Sequence, residues 1–296
     1  MWRGHRRSLR RNGGEVRHPP RAGAVVGGAL IPAAEFAVRV AERCDAAMKQ
    51  GSLEPIDTRV EHVDDGGARF SLRVVSSLNR KAAAQIDGDP FMPPYQQGLF
   101  VGELSATHVC ILNKYPVLQR HALVVTRAFE PQHALLTEAD FAAVLPLLQT
   151  VHGLVFYNSA PEAGASQPHK HLQWVPTPLD GGPAAVPLEA AIRAGQLPVK
   201  HAVAAAPADA AQAVATYRAL LDQLGAVSLP YNLLMTREWM LVVPRKAERF
   251  ERISLNALAF AGSLFVKNDA ELALLKRNGP MVALRAVAFE SRTSEA

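Results

Sequence analysis

Two histidines and a glutamine alternate strictly in this 296-residue chain, in the run Gly164-Ala165-Ser166-Gln167-Pro168-His169-Lys170-His171-Leu172-Gln173. Side chains two apart on a β-strand share a face, so His169, His171 and Gln173 are expected to project together, with Leu172 left for the core and Lys170 on the opposite side. Two chemistries suit that geometry. A His-x-His pair can hold a divalent metal, but zinc needs at least one further ligand and usually an outer carboxylate. An imidazole can instead attack phosphorus while neighbouring donors stabilise the charge on the phosphoryl oxygens. A lone histidine is more often an ordinary core or surface residue. Here the small residues just upstream let backbone amides approach an anion, which favours phosphate chemistry.

The elements that must position these residues read as α+β. Thr58 to Val63 and Arg69 to Val74 form a hairpin about the turn Asp65-Gly66-Gly67. Further short strands are expected at Leu99–Leu104, His108–Leu112, His121–Thr126, Leu154–Tyr157 and His171–Val175. Phe36, Val40, Cys44 and Met48 recur every four residues and mark an amphipathic helix. Thr137 caps another, carrying Phe141, Val144, Leu145 and Leu148 on one side. Pro176 to about Ala206 is rich in Pro, Gly and Ala and reads as a connector without an element of its own. A second unit follows: a helix near Asp209–Leu224 ended by Gly225, strands at Tyr231–Met235 and Met240–Val243, and helices begun by Ser254, Asp269 and Gly279-Pro280. The expected division is a disordered basic tail over 1–32, a catalytic unit over 33–185, a connector over 186–205 and a C-terminal unit over 206–296.

Charge does not point to nucleic acid. The chain carries +5, but residues 1–21 contain seven arginines and one acid, so the remainder is close to neutral. Gly13-Gly14 and Pro19-Pro20 break any periodicity in the basic run, unlike a folded nucleic-acid-binding face. No run of eighteen apolar residues is present, so no membrane partner is expected. Two cysteines, Cys44 and Cys110, lie far apart without metal spacing and read as reduced, buried thiols in a cytoplasmic protein. Arg6-Arg7 followed by apolar Ala24–Ile31 superficially copies a secretion signal, but Gly27-Gly28 interrupts it and a helical pattern follows.

The stretch Phe156 to Gln173 resembles the signature of the diadenosine tetraphosphate phosphorylases, also called ATP adenylyltransferases, of the histidine-triad superfamily. Thr107–Lys114, His121–Thr126, Tyr231–Arg237 and Asn256–Gly262 are similar to blocks of that family in the same order. The resemblance runs from about Gly51 to the last helix. It implies a fold like that of histidine-triad proteins and galactose-1-phosphate uridylyltransferase, mainly an antiparallel sheet flanked by helices with a smaller C-terminal α+β unit. It also implies the reaction of diadenosine tetraphosphate and phosphate to ATP and ADP. His171 would be the nucleophile that carries AMP, with His169 supporting it. Gln173 replaces the third histidine of the hydrolase branch by an amide that offers water no titratable base.

The same resemblance assigns Lys81, Lys114 and Lys267 to the polyphosphate, Asn158 to the nucleotide, and Gly164, Ala165, Ser166 and Gln167 to the α-phosphate. Asn113 joins the substrate-binding set, as do Asn256, Gly262 and Ser263 from the segment that closes over substrate. Without the resemblance the lysines would read as solvated surface residues, Asn158 as a turn former and Gly262 as close packing. No cofactor is expected to bind tightly; Mg²⁺ is expected to arrive with the polyphosphate. The expected partners are dinucleoside polyphosphates, ATP, ADP and inorganic phosphate, and the oligomeric state stays open. Two alternatives share much of the site: a dinucleoside polyphosphate hydrolase, and a dinucleotide-binding regulator without turnover. A hexose-1-phosphate uridylyltransferase typically has proline where Lys170 stands, and dedicated metal ligands.

Overall fold

In the computed structural model, helix α1 (Phe36–Lys49) buries Phe36, Val40, Cys44 and Ala47. Met48, the expected fourth core position, is 46% exposed. Three steps of four residues overrun turns of about 3.6 residues, so the buried stripe continues through Ala47 instead. The structure describes residues 29–75 and 88–290. Most of the expected tail and Lys81 lie outside the described residues. The last residues of that tail are placed against the fold: Leu30 bridges Glu103, and Ile31 is buried.

The main sheet has eight strands, all antiparallel: β3 (Phe100–Glu103), β4 (His108–Leu112), β5 (Ala122–Thr126), β6 (Gly153–Asn158), β7 (His171–Pro176), β8 (Ala202–Ala205), β9 (Tyr231–Met235) and β10 (Trp239–Pro244). Their order is β3-β4-β5-β7-β6-β9-β10-β8, so β7, which carries His171 and Gln173, sits in the middle and the sheet runs unbroken from the first expected unit into the second. β1 (Thr58–Asp65) and β2 (Ala68–Val75) form the expected hairpin, and β13 (Ser263–Val266) joins β2 in parallel. A two-stranded ribbon, β11 (Arg249–Phe250) with β12 (Ile253–Ser254), completes the strands of the described residues.

Side-chain alternation sends each strand of the main sheet into two cores. Cys110, Val124, Leu172 and Trp174 face α1, α2 (Glu138–Thr150) and α4 (Ala210–Leu224). Phe156, Val175, Leu234 and Leu241 face the three-stranded sheet and α3 (Glu189–Arg193), α5 (Ala257–Phe260), α6 (Asp269–Asn278) and α7 (Pro280–Val287). His171 and Gln173 belong to this second face, so the site is built between the two sheets.

Three local expectations are corrected. The Pro- and Gly-rich connector holds α3 and β8; β8 has no alternating pattern of its own and exists by pairing with β10. Ser254 ends β12, and the α5 cap is Asn256, whose side chain accepts from the Leu258 amide at 3.0 Å. Asn268, not Asp269, caps α6, accepting from the Glu271 amide at 2.9 Å; both are favoured caps, and the residue in extended conformation takes the role.

Candidate active site

His171 opens β7, and its Nδ1–H donates to the backbone carbonyl of His169 at 2.8 Å. A carbonyl only accepts, so the proton is fixed on Nδ1 and the lone pair on Nε2, which has no protein partner among the described residues. Burial pushes the imidazole down to about 4; the bond to the His169 carbonyl and the Asp89 carboxylate work against that shift. The ring is therefore neutral near pH 7, as a nucleophile must be. Gln132 fastens the backbone around it. Its Oε1 accepts from the His171 amide at 2.8 Å, while its Nε2 donates to the carbonyls of His171 and Asn158 at 3.2 and 2.8 Å. The buried Gln132 thus sets Asn158 beside His171.

His169 is wholly buried behind it. Its Nδ1 meets Asp89 Oδ2 at 2.7 Å and its Nε2 meets the Thr126 carbonyl at 2.8 Å. Phe91, two residues from Asp89, packs edge-on against the rings of both His169 and His171, with centroids 5.9 and 4.9 Å away. His169 acts through its carbonyl and its packing; its ring faces Asp89 and Thr126.

Gln173 belongs to a chain of side-chain hydrogen bonds. Asn113 Nδ2 donates to His121 Nδ1 at 3.2 Å, and His121 Nε2–H donates to Gln173 Oε1 at 2.9 Å. Burial holds His121 down at about 4, partly offset by Gln173, so it stays neutral and donates in this one direction. With its oxygen occupied, Gln173 presents its amide N–H groups as donors. Asn158 is arranged likewise: its Oδ1 accepts from Asn232 Nδ2 at 2.8 Å and from the Ala257 amide at 3.0 Å.

These residues surround a cavity of about 360 Å³ whose wall includes Asn113, Asn158, Gly164, Ser166, Gln173, Asn256, Ser263 and Lys267. Residues assigned far apart in sequence thus share one wall. His171, only 4% exposed, does not itself line this cavity; Gln173 of the same strand does, and Gln132 bonds both His171 and the cavity residue Asn158. Gly164 adopts φ +92°, and a side chain there would put a Cβ 2.8 Å from that of Asn256; the close approach locks the 164–167 loop onto the second unit. The amides of Gly164 and Ala165 close the turn on Pro161 and Ala160, which leaves Ser166 as the exposed polar group of this loop at the cavity.

Other expected site residues sit elsewhere. Ala165 and Gln167 follow the loop but do not line the cavity. Lys114 lies over the ring of Tyr115 and 3.8 Å from Glu54, away from the wall. Gly262 packs on Pro187, where a Cβ would approach to 2.7 Å; its role is close packing that sets β13 in place.

Several residues that hold the site were not singled out by sequence reasoning: Asp89, His121, Gln132, Asn232 and Arg245. Arg245 is fully buried and donates to Asn232 Oδ1 at 2.6 Å, to the Leu255 carbonyl at 2.9 Å and to the Ala163 carbonyl at 3.3 Å. Burial lowers its guanidinium to about 10 against the pull of Glu248. It ties the 164–167 loop to the Asn256 segment. His121 carried one signal, standing just before β5; Asn232 is a buried polar residue inside the apolar run of β9, and Asp89, Gln132 and Arg245 lie outside the strands and helices.

On the reverse face of the His-x-His strand, Lys170 is also fully buried. Its Nζ donates to Glu130 at 2.7 Å and to Asp140 at 3.2 Å. Asp140 also accepts from His108 Nε2 at 3.0 Å and closes a capping box with Thr137 at the start of α2. Burial opposes its charge, but His108, Lys170 and Thr137 together bring the carboxyl down to about 2.

Residues 29–194 match the Ap4A phosphorylase N-terminal domain, and residues 195–290 match the ATP adenylyltransferase C-terminal domain. The chain belongs to the Ap4A phosphorylase family. In Saccharomyces cerevisiae, diadenosine 5',5'''-P1,P4-tetraphosphate phosphorylase 2 is 25% identical over 256 residues, 72% of this chain and 78% of that protein. Protein APA1 of the same yeast is 25% identical over 285 residues, 81% of this chain and 88% of its own. Two solved structures of yeast Ap4A phosphorylase Apa2 share this fold of the family. The complex with AMP has a TM-score of 0.74 at 24% identity, covering 88% of this chain and 99% of that one. The complex with Ap4A has a TM-score of 0.75 at 23% identity, covering 86% and 98%.

Proposed function

We propose that this member of the Ap4A phosphorylase family converts diadenosine tetraphosphate and inorganic phosphate to ATP and ADP through an adenylyl group carried on His171. The observation that carries the reading is the Nδ1–H bond from His171 to the His169 carbonyl, because it leaves Nε2 with a free lone pair on the strand whose Gln173 lines the cavity. In the first step Nε2 attacks the α-phosphorus, the P–O bond to the departing chain breaks, and ATP leaves. In the second, a phosphate oxygen attacks the adenylyl-histidine, the P–N bond breaks, ADP leaves and the ring is neutral again. Two displacements replace one direct meeting of two polyanions.

The Gln173 and Asn158 amides, with Ser166, are suited to the α-phosphoryl oxygens as their charge grows. Lys267 at the cavity mouth is suited to the outer phosphates, and Mg²⁺ belongs to this reading as a counterion of the substrate. His121 is held neutral against Gln173, so it offers little basicity for activating water, which supports transfer to phosphate over hydrolysis. A cytoplasmic setting fits the two buried free thiols, Cys44 and Cys110. Among the described residues no helix is long and apolar enough to cross a membrane.

Product analysis of the purified protein with diadenosine tetraphosphate, with and without phosphate, tests the proposal. ATP and ADP formed only with phosphate support it. ATP and AMP formed without phosphate would make the protein a hydrolase, and binding without products would make it a regulator.

A further inference from the structure

Asp89-Pro90-Phe91-Met92 folds as a tight turn, with the Met92 amide donating to the Asp89 carbonyl at 3.2 Å. The sequence encodes it: aspartate is favoured at the first position of such a turn, proline presets the second, and an aspartate side chain bonds the backbone two residues on. Here Oδ1 accepts from the Phe91 amide at 2.9 Å. Oδ2 is left to reach across the fold to His169 Nδ1 at 2.7 Å. One carboxylate therefore joins the turn to the His-x-His strand. The other end of the ring settles where the protons lie. His169 Nε2 stands 2.8 Å from the Thr126 carbonyl, which only accepts, so Nε2 carries a proton; the Thr126 hydroxyl, 3.0 Å away, can turn its own proton to the Lys170 carbonyl. A bare Nδ1 lone pair facing a carboxylate at 2.7 Å would be repelled, so a further proton lies between Nδ1 and Oδ2.

What the turn delivers is the Phe91 ring. It packs with Val109, Ile111, Leu123 and Val125 as an apolar floor, and Val125 pairs with His171 across the sheet. The same ring meets the imidazoles of His169 and His171 edge-on. Packed against both the floor and His171, it restricts rotation of that imidazole about χ2, a motion that would carry Nδ1 off the His169 carbonyl and re-aim Nε2. The peptide bearing the carbonyl is held separately, because the Lys170 amide donates to the Glu130 carbonyl at 2.7 Å. The ring of His171 is the part left to fix.

We propose that Asp89 is a positioning residue for His171: by clamping the Phe91 turn to His169, it holds the imidazole at the angle that attack on phosphorus requires. The proposal rests on the phosphorylase reading for the reaction that follows, whereas the ring orientation it asserts belongs to the free protein. Small displacements matter at this distance from the chemistry, since a misplacement of about 1 Å can cost about 10²-fold in rate.

Three variants test it, by turnover of diadenosine tetraphosphate with phosphate and by heteronuclear NMR of the imidazoles without substrate. Asp89→Asn keeps both arms of the clamp, since its Oδ1 can accept from the Phe91 amide and its Nδ2 can donate to His169 Nδ1. Asp89→Ala has neither arm, and Phe91→Ala keeps the carboxylate but loses the ring. The two alanine variants should lose about 10- to 100-fold in kcat with KM within about threefold, while Asp89→Asn keeps at least about a third of wild-type kcat. The spectra should show His171 protonated at Nδ1 alone in the wild type and Asp89→Asn, and a mixture of tautomers in the alanine variants. Thermal unfolding identifies a variant that fails to fold; Asp89→Ser, whose hydroxyl can still bond the turn but is too short for His169, then carries the same expectation as Asp89→Ala. Wild-type kcat and a single His171 tautomer without the clamp would overturn the proposal, as would a loss in Asp89→Asn equal to that in Asp89→Ala. An inactive wild type with the expected tautomers contradicts the phosphorylase and keeps the clamp, whereas an active wild type matched by Asp89→Ala in both readouts contradicts the clamp alone.

Discussion

The two faces of the His169–Trp174 stretch are both buried, and they handle burial in opposite ways. On the cavity face, His171 has no charged partner in hydrogen-bonding contact, so desolvation holds it neutral, with its lone pair aimed by one carbonyl. On the reverse face, Lys170 meets Glu130 and Asp140, and Asp140 is also hydrogen-bonded to His108. One face keeps a neutral imidazole with an open ring nitrogen, and the other fixes the backbone that carries it. Loss of charge and compensation of charge are the two ways a polar group survives in a core, and this strand uses one on each side.

The largest effect should come from the cavity face. His171→Ala is expected to lower turnover by at least ~10³-fold, since the imidazole that lines the cavity, His121, has both ring nitrogens engaged by Asn113 and Gln173. AMP affinity should stay within a few-fold, which equilibrium binding would check. On the reverse face, Asp140→Ala leaves Lys170 with only the half-exposed Glu130 as a charged partner and removes the Asp140 half of the α2 capping box. Breaking a buried pair costs about 3–5 kcal/mol, read as a lower urea midpoint at unchanged m. A loss of stability as large in His171→Ala as in Asp140→Ala would break the division between the faces.

Acid sharpens the same comparison. His171 and His121 have folded values of about 4 against 6.5 for the free side chain. Between those values the unfolded chain takes up protons that the folded one refuses, so stability is full above 6.5 and falls as pH drops toward 4. The loss is at most about 3 kcal/mol for each ring. Urea midpoints at pH 7, 6 and 5 should decline in that order, and the acid limb of kcat/KM should lie well below 6.5. Asp140, at about 2, keeps the reverse face charged throughout that window.

The smallest effect is expected where an expected site residue turned out to be packing. Gly262→Ala meets Pro187 and forces φ +92° on a residue with a Cβ, which should cost about 1–3 kcal/mol of stability. Catalytic constants measured below the transition should change little. A large fall in kcat with stability intact would return Gly262 to the substrate site.

What the sequence made legible follows from periodicity. Strand alternation placed His171 and Gln173 on one face because period two is local, and the Thr137 cap and the Gly225 stop announced their helices for the same reason. The connection between the units was not legible. Nothing near Arg245 signals that its guanidinium reaches Ala163 and Leu255, since buried donors to carbonyls leave no pattern. Gln132 and Asp89 are loop residues whose partners lie about forty and eighty positions away. Lys267 lines the cavity as the family motif implies, whereas the Lys114 ammonium turns toward Glu54 and Tyr115.

The central claim is that His171 carries the adenylyl group. Its most direct test is intact-mass and peptide analysis of protein mixed with diadenosine tetraphosphate without phosphate and quenched in alkali, where a phosphoramidate survives. The account predicts one adenylyl group on His171, absent from His171→Ala and discharged to ADP when phosphate is added before the quench. Phosphate-dependent formation of ATP and ADP by His171→Ala at the wild-type rate, with no adduct on either protein, would contradict it.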